Sequence, residues 1–247
     1  MSGRIRIGIG GWTYEPWRGT FFPPGLPHAQ EIDFATRAMT AIEVNGTYYS
    51  SQKPATFAKW AKAAPDGFVY ALKASRFCTN RKVLGEGGES VMKFLGQGIV
   101  ELGDKLGPIL WQFMATKKFD PDDFAAFLKL LPASHGGLRL RHAIEVRHES
   151  FVDPALYALA DAAGVAIVHA DKPDYPSIEQ QTADFTYVRF QAAREEIATG
   201  YDAVELDAMA DRARVWAASG DVFIFMINGA KVRAPAAAQA LIERVGR

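Results

Sequence analysis

Short apolar segments alternate with stretches of helical spacing from one end of the chain to the other, and this alternation constrains the fold more than any other feature. Eight segments are predicted as strands: residues 5–10, 41–45, 68–73, 109–112, 142–146, 166–170, 185–190 and 222–227. Most are nearly unbroken runs of apolar or β-branched residues, as parallel strands covered on both faces must be. Between them lie helical stripes: Phe57, Trp60, Ala61 and Ala64; Phe124, Phe127, Leu128 and Leu131; Leu156, Leu159, Ala160 and Ala163; Leu206, Met209, Ala210 and Ala213. Asp120-Pro121 and Asp153-Pro154 each put a capping acceptor before a proline at the first helical position, where its missing N–H costs nothing.

Eight such units over 247 residues predict a single α/β domain over 1–247, closed as a (β/α)8 barrel, a fold of roughly 250 residues. An open doubly wound sheet is the alternative, and evenly spread units favour closure. The sixth unit is irregular: residues 171–184 carry Pro173 and Pro176 and predict a loop or a single turn.

Charge narrows the function. Lys plus Arg equals Asp plus Glu, at 28 each, which argues against a coat for nucleic acid or an anionic membrane. Cys78 is the only cysteine, so no intrachain disulfide and no cysteine metal site is expected, and the residue reads as a small buried one. No apolar run approaches a membrane span, and Met1 to Arg6 leads into the first strand without an apolar leader. The expected location is the cytoplasm. Nothing in the sequence specifies an oligomeric state.

In a barrel of this kind, side chains at the C-terminal strand ends share one mouth, where the working sites lie. Those ends are polar here. Glu43 and Asn45 share a face of strand two, and strands three and four end at Lys73 and Gln112. Strand five carries Glu145 and Arg147, strand six runs into Asp171, strand seven carries Tyr187, Arg189 and Gln191, and strand eight runs into Asn228. Arg147, Arg189 and Lys73 suit a clamp for carboxylate or phosphate. Glu43 or Glu145 is then the expected general acid or base. The competing reading is a self-satisfied ion-pair network that only fills the barrel top.

Other candidates are weaker. No cofactor is expected. His169 and Asp171 with Glu43 and Glu145 have the donors for a divalent metal, but three cations at the same mouth oppose one. Trp12 and Tyr14, with Trp17, Phe21 and Phe22, make an aromatic first loop that either stacks a ring or plugs the barrel. His28, His135 and His142 read as structural or solvated, and His148 as a surface residue or a proton shuttle. Gly85-Glu86-Gly87-Gly88 lacks the partners of a phosphate-binding loop.

Four blocks resemble the YecE-like family, also called domain of unknown function seventy-two: Gly8-Ile9-Gly10-Gly11-Trp12-Thr13-Tyr14 with Trp17-Arg18-Gly19, Ile42 to Tyr49, Lys105 to Gln112, and Ala143 to Ser150. The resemblance covers essentially the whole chain and implies a TIM barrel and no established activity. It implies patterned positions at Glu43, Asn45, Lys73, Gln112, Glu145, Arg147, Asp171 and Arg189. This chain departs from the pattern at Gln191, where the family usually has histidine, and at Asn80, Phe151 and Ile227. Three function classes follow. The first is an enzyme working by acid/base chemistry on a small anionic metabolite. The second is a non-catalytic sensor using the same cleft. The third, binding of single-stranded nucleic acid through the aromatic loop, is disfavoured by the neutral charge.

Overall fold

The computed structural model describes residues 2–246. Its frame is eight parallel strands: β1 (Ile5–Gly10), β2 (Ala41–Val44), β3 (Val69–Lys73), β4 (Leu106–Gln112), β5 (His142–Glu145), β6 in two pieces (Ala166–Ile167 and His169–Ala170), β7 (Phe185–Phe190) and β8 (Asp221–Met226). Neighbours pair in sequence order, and β1 pairs β8. Closure runs through β6: Ala166 and Ile167 pair with β5, whereas His169 and Ala170 pair with β7. The ring is therefore continuous, as the expected (β/α)8 barrel requires.

Among the described residues, seven helices of two turns or more cover the strands: α1 (Glu31–Ala38), α2 (Pro54–Ala63), α3 (Gly88–Leu95), α4 (Pro121–Leu128), α5 (Pro154–Ala163), α6 (Ala203–Ala217) and α7 (Ala234–Val245). The cap signals act as expected. Asp120 accepts from the backbone N–H groups of Asp122 and Asp123, and Asp153 from that of Ala155. The sixth connection, between β6 and β7, contains no helix. Nearly all stripe residues face the barrel, but Ala163 is exposed, because α5 ends there against the left-handed Gly164.

β4 starts three residues before its expected first residue, Ile109, and includes Pro108. The register against β3 shifts between Tyr70 and Leu72, so the proline sits at a bulge, where a strand tolerates a missing donor. No helix among the described residues is long and apolar enough to cross a membrane.

Two apolar cores follow from the strand alternation. One fills the barrel with Ala71, Leu110, Ala143, Val168, Phe185, Phe223 and Phe225. The other joins the outer strand faces to the helices, with Trp17, Phe57, Trp111, Phe124, Phe127 and Leu241 among its large members. The N-terminal end of the barrel is closed by Arg6 and Arg141, both on Asp221 Oδ2, at 3.2 and 3.0 Å. That leaves the C-terminal end as the open one.

Candidate functional site

Inward positions two apart on a strand lie at successive heights in the barrel. Above the apolar layers comes a charged layer contributed by β2, β5 and β7. Arg189 is its centre, 1% exposed. Its Nε donates to Glu43 Oε2 and its Nη2 to Glu43 Oε1, both at 3.0 Å. Its Nη1 donates to Glu145 Oε2 and, at 3.4 Å, to Gln112 Oε1. Tyr187 adds a hydroxyl donor to Glu43 Oε2 at 2.7 Å. Arg147, one step higher, donates to Glu145 Oε1 from Nε and Nη2 at 3.1 and 3.0 Å, and to Gln112 Oε1 at 2.6 Å.

Every carboxylate oxygen of Glu43 and Glu145 is thus engaged by a donor. Burial alone would push the Glu145 carboxyl up, but Arg189, Arg147 and Lys73 outweigh it and hold it below the usual carboxylate range. Both side chains lie beneath the mouth and neither lines its cleft. The ion pairs of Glu43 and Glu145 therefore lie one level below the mouth that Lys73, Gln112 and Arg147 line.

The cleft above that layer has a volume of about 410 Å3. Asn45, Lys73, Gln112, Arg147, Arg189 and Asn228 line it as expected, together with Tyr48, Tyr49 and Lys231; Gly10 and Ile227 complete the wall. None of the lining residues is acidic, and four are cations. Set against the two carboxylates below, four cations leave an excess of two positive charges when Lys73 is protonated. Gly10 keeps the cleft open, since a Cβ there would meet Asn45 Nδ2 and Ile227 Cδ1 at 3.1 Å.

Lys73 ends β3 and is 7% exposed. The one-turn helix Gly46–Tyr49 is tied to it by Thr47, whose hydroxyl donates to the Lys73 carbonyl at 2.7 Å and the Val44 carbonyl at 3.1 Å. This places the Tyr48 ring 4.2 Å from the Lys73 ammonium. Burial first, and then the Arg189 charge, push the Lys73 amine down to about 8, against partial opposition from Glu43 and Glu145.

Some expected site residues stand elsewhere. Trp12 packs edge-on against Trp60 of α2, with ring centroids 5.4 Å apart, and against Tyr70. Tyr14 packs on Trp17 and also carries Lys231 Nζ 4.5 Å above its ring. Trp17 is fully buried, and its indole N–H donates to the Lys231 carbonyl at 3.0 Å. The aromatic loop thus holds Lys231 at the cleft from below. Asp171 accepts from the Gln191 backbone N–H and from the Tyr201 hydroxyl, pinning the ends of two strands. His169 turns outward against Trp216, ring centroids 5.6 Å apart. The metal set of His169, Asp171, Glu43 and Glu145 is not assembled, and among the described residues no three His, Cys, Asp or Glu side chains form a metal-binding group.

The remaining single residues match their bland expectations. Cys78 is buried and its thiol is pushed up to about 12 by burial. His142 accepts from the Trp111 indole at 3.1 Å and meets the Pro132 carbonyl at 2.9 Å. His148 caps a short turn through Ser150. Sequence reasoning missed Lys231 and Tyr175, whose ring lies 4.6 Å from the Arg147 guanidinium. Both come from loops without periodicity; their position just beyond the ends of β8 and β6 was the available signal.

A model of the family described as "Protein of unknown function DUF72" matches residues 6–247. The chain belongs to the DUF72 family. Among solved structures, a DUF72 family protein from Thermotoga maritima is similar at a TM-score of 0.76 and 21% identity, covering 96% of each chain. Another, from Enterococcus faecalis, is similar at a TM-score of 0.74 and 17% identity, covering 98% of this chain and 95% of that one. A D-psicose 3-epimerase crystallised in the presence of D-fructose shares the barrel at a TM-score of 0.55 and 14% identity, covering 99% and 96%. These likenesses are in fold. No curated protein matches the chain.

Proposed function

We propose that this DUF72 protein is a cytoplasmic enzyme acting by proton transfer on a small anionic metabolite, bearing phosphate or carboxylate, in the mouth of the barrel. One observation carries the reading: a cleft of about 410 Å3 lined by four cations and no acid. A buried excess of positive charge is unfavourable unless an anion offsets it. Arg147 and Lys231 stand at the rim to receive that anion, while Glu43 and Glu145 hold Arg189 upright beneath it. With both glutamates engaged, Lys73, whose lowered pKa leaves part of it neutral near pH 7, is the group at the cleft free to act on the substrate.

A second reading, a non-catalytic binding module, is favoured by the complete pairing of both carboxylates. Thermal melting with inorganic phosphate, acetate and divalent cations tests the anion site. A ligand that binds only the folded state raises Tm by mass action. Phosphate or acetate should raise it for the wild type and less for Arg147→Met. A rise with divalent cations alone would overturn the proposal.

A further inference from the structure

Lys73 is an anomaly among the strand-borne cations of the cleft. Arg147 and Arg189 have carboxylate and amide partners, but among the described residues no hydrogen bond or ion pair joins Lys73 Nζ to an acceptor. Lys231, beyond the end of β8, also has only aromatic rings beside it but is less buried. The one close partner of Lys73 Nζ is the Tyr48 ring face. The side chain is more than nine-tenths buried, and it lines the cleft rather than a crevice of its own. Arg189 and Arg147 share that cleft with Lys231, and their charges disfavour a further one on Lys73. A structural lysine would be expected to satisfy its three donors. A lysine desolvated beside other cations is the arrangement that activates an amine as a nucleophile.

We infer that Lys73 forms a covalent imine with its substrate, which is therefore a small aldehyde or ketone carrying a phosphate or carboxylate group. This inference rests on the anion-binding reading of the cleft and adds the reacting group to it. The lone pair of Lys73 Nζ attacks the carbonyl carbon, the carbon–oxygen double bond opens, and the oxygen leaves as water. Overall an ammonium and a carbonyl give a protonated imine and water, with two of the three N–H protons leaving in the water, so no oxidant or reductant is required. The protonated imine then draws electrons from an adjacent C–H or C–C bond. A lysine amine near 8 leaves roughly a tenth of the molecules neutral at pH 7, whereas an ordinary lysine leaves less than about a thousandth. The cations at the rim fix the anionic end, so the carbonyl is presented to Nζ from one side.

The test traps the imine. The purified protein is mixed with glyoxylate, pyruvate or dihydroxyacetone phosphate, reduced with borohydride, weighed intact and peptide-mapped. The expected result is a single adduct on Lys73, heavier by the carbonyl compound less one oxygen atom, and suppressed by excess inorganic phosphate. Mapping on the wild type does not depend on any variant folding, and Lys73→Met should lose the adduct. Adducts spread over exposed lysines, or none with all three probes, would overturn the inference. If phosphate still raised Tm in that case, the anion-binding enzyme would stand without its covalent step. An adduct on Lys73 that phosphate neither suppresses nor accompanies with a Tm shift would keep the imine and remove the anion site.

Discussion

Arg189 meets Glu43 with two parallel hydrogen bonds of 3.0 Å inside a closed barrel, where neither residue is more than 1% exposed. The pair links β7 to β2 across the lumen, and a second arm of the same guanidinium reaches Glu145 on β5. Three strands are held by one residue.

Removing that residue strands two buried carboxylates. Arg189→Met should cost about 3–5 kcal/mol of unfolding free energy. Tyr187→Phe, which takes one donor from Glu43 and leaves the guanidinium in place, should cost about 1–3 kcal/mol. Urea denaturation of both variants measures this, and equal costs would show that Arg189 does not dominate.

Glu145 makes the fold acid-sensitive. Its folded carboxyl lies below the ordinary carboxylate value, so its contribution is fully present above about 4.3. It is lost as the pH falls through the folded pKa. Glu145→Gln should lose stability at neutral pH and show a shallower further loss on acidification. A parallel acid profile in the two proteins would remove Glu145 from this role.

Lys73 has the opposite sign. Its folded pKa, about 8, lies below the unfolded one, so the unfolded state holds the proton more tightly. The penalty is fully present below about 8 and fades as the pH rises through the folded value toward the unfolded value near 10.4. Lys73→Met should therefore raise stability at pH 7 by about 1–3 kcal/mol and flatten the wild-type rise above pH 8. A less stable Lys73→Met would show that the lysine is structural.

Lys231 separates binding from folding. Its backbone carbonyl, which accepts the Trp17 indole N–H, survives substitution, so Lys231→Met removes only the ammonium's contacts with the Tyr14 and Trp17 rings and should cost no more than about 1 kcal/mol. It should still weaken phosphate binding several-fold by calorimetry. Unchanged affinity would place the anion away from the β8 loop.

Much of this architecture was legible in the residues themselves. The bounds of β1 and β7 were readable to the residue, and so were both proline caps, because strand runs and Asp-Pro starts are local signals. Strand parity also put Glu43, Glu145 and Arg189 on the inward faces. What parity does not carry is height. Glu145 and Arg147 are two residues apart, yet the first is sealed in the charged layer and the second stands at the cleft. Trp12 was left open for a related reason: an aromatic beside a strand end reads the same whether it faces the lumen or, as here, Trp60 on the outer helix.

The divided β6 gives the barrel a weak seam. Each of its pieces holds one neighbour over only two paired residues, and the connection that follows has no helix to press on it. Opening there would separate β5 from β7 while the other contacts between strands persist. The amide hydrogens of residues 166–170 should then exchange with solvent through a small local excursion, those of β1 and β8 only when the whole molecule unfolds. That seam lies beside Arg147 and Tyr175, so the wall of the cleft nearest the rim is also the part of the ring with the least to lose by moving.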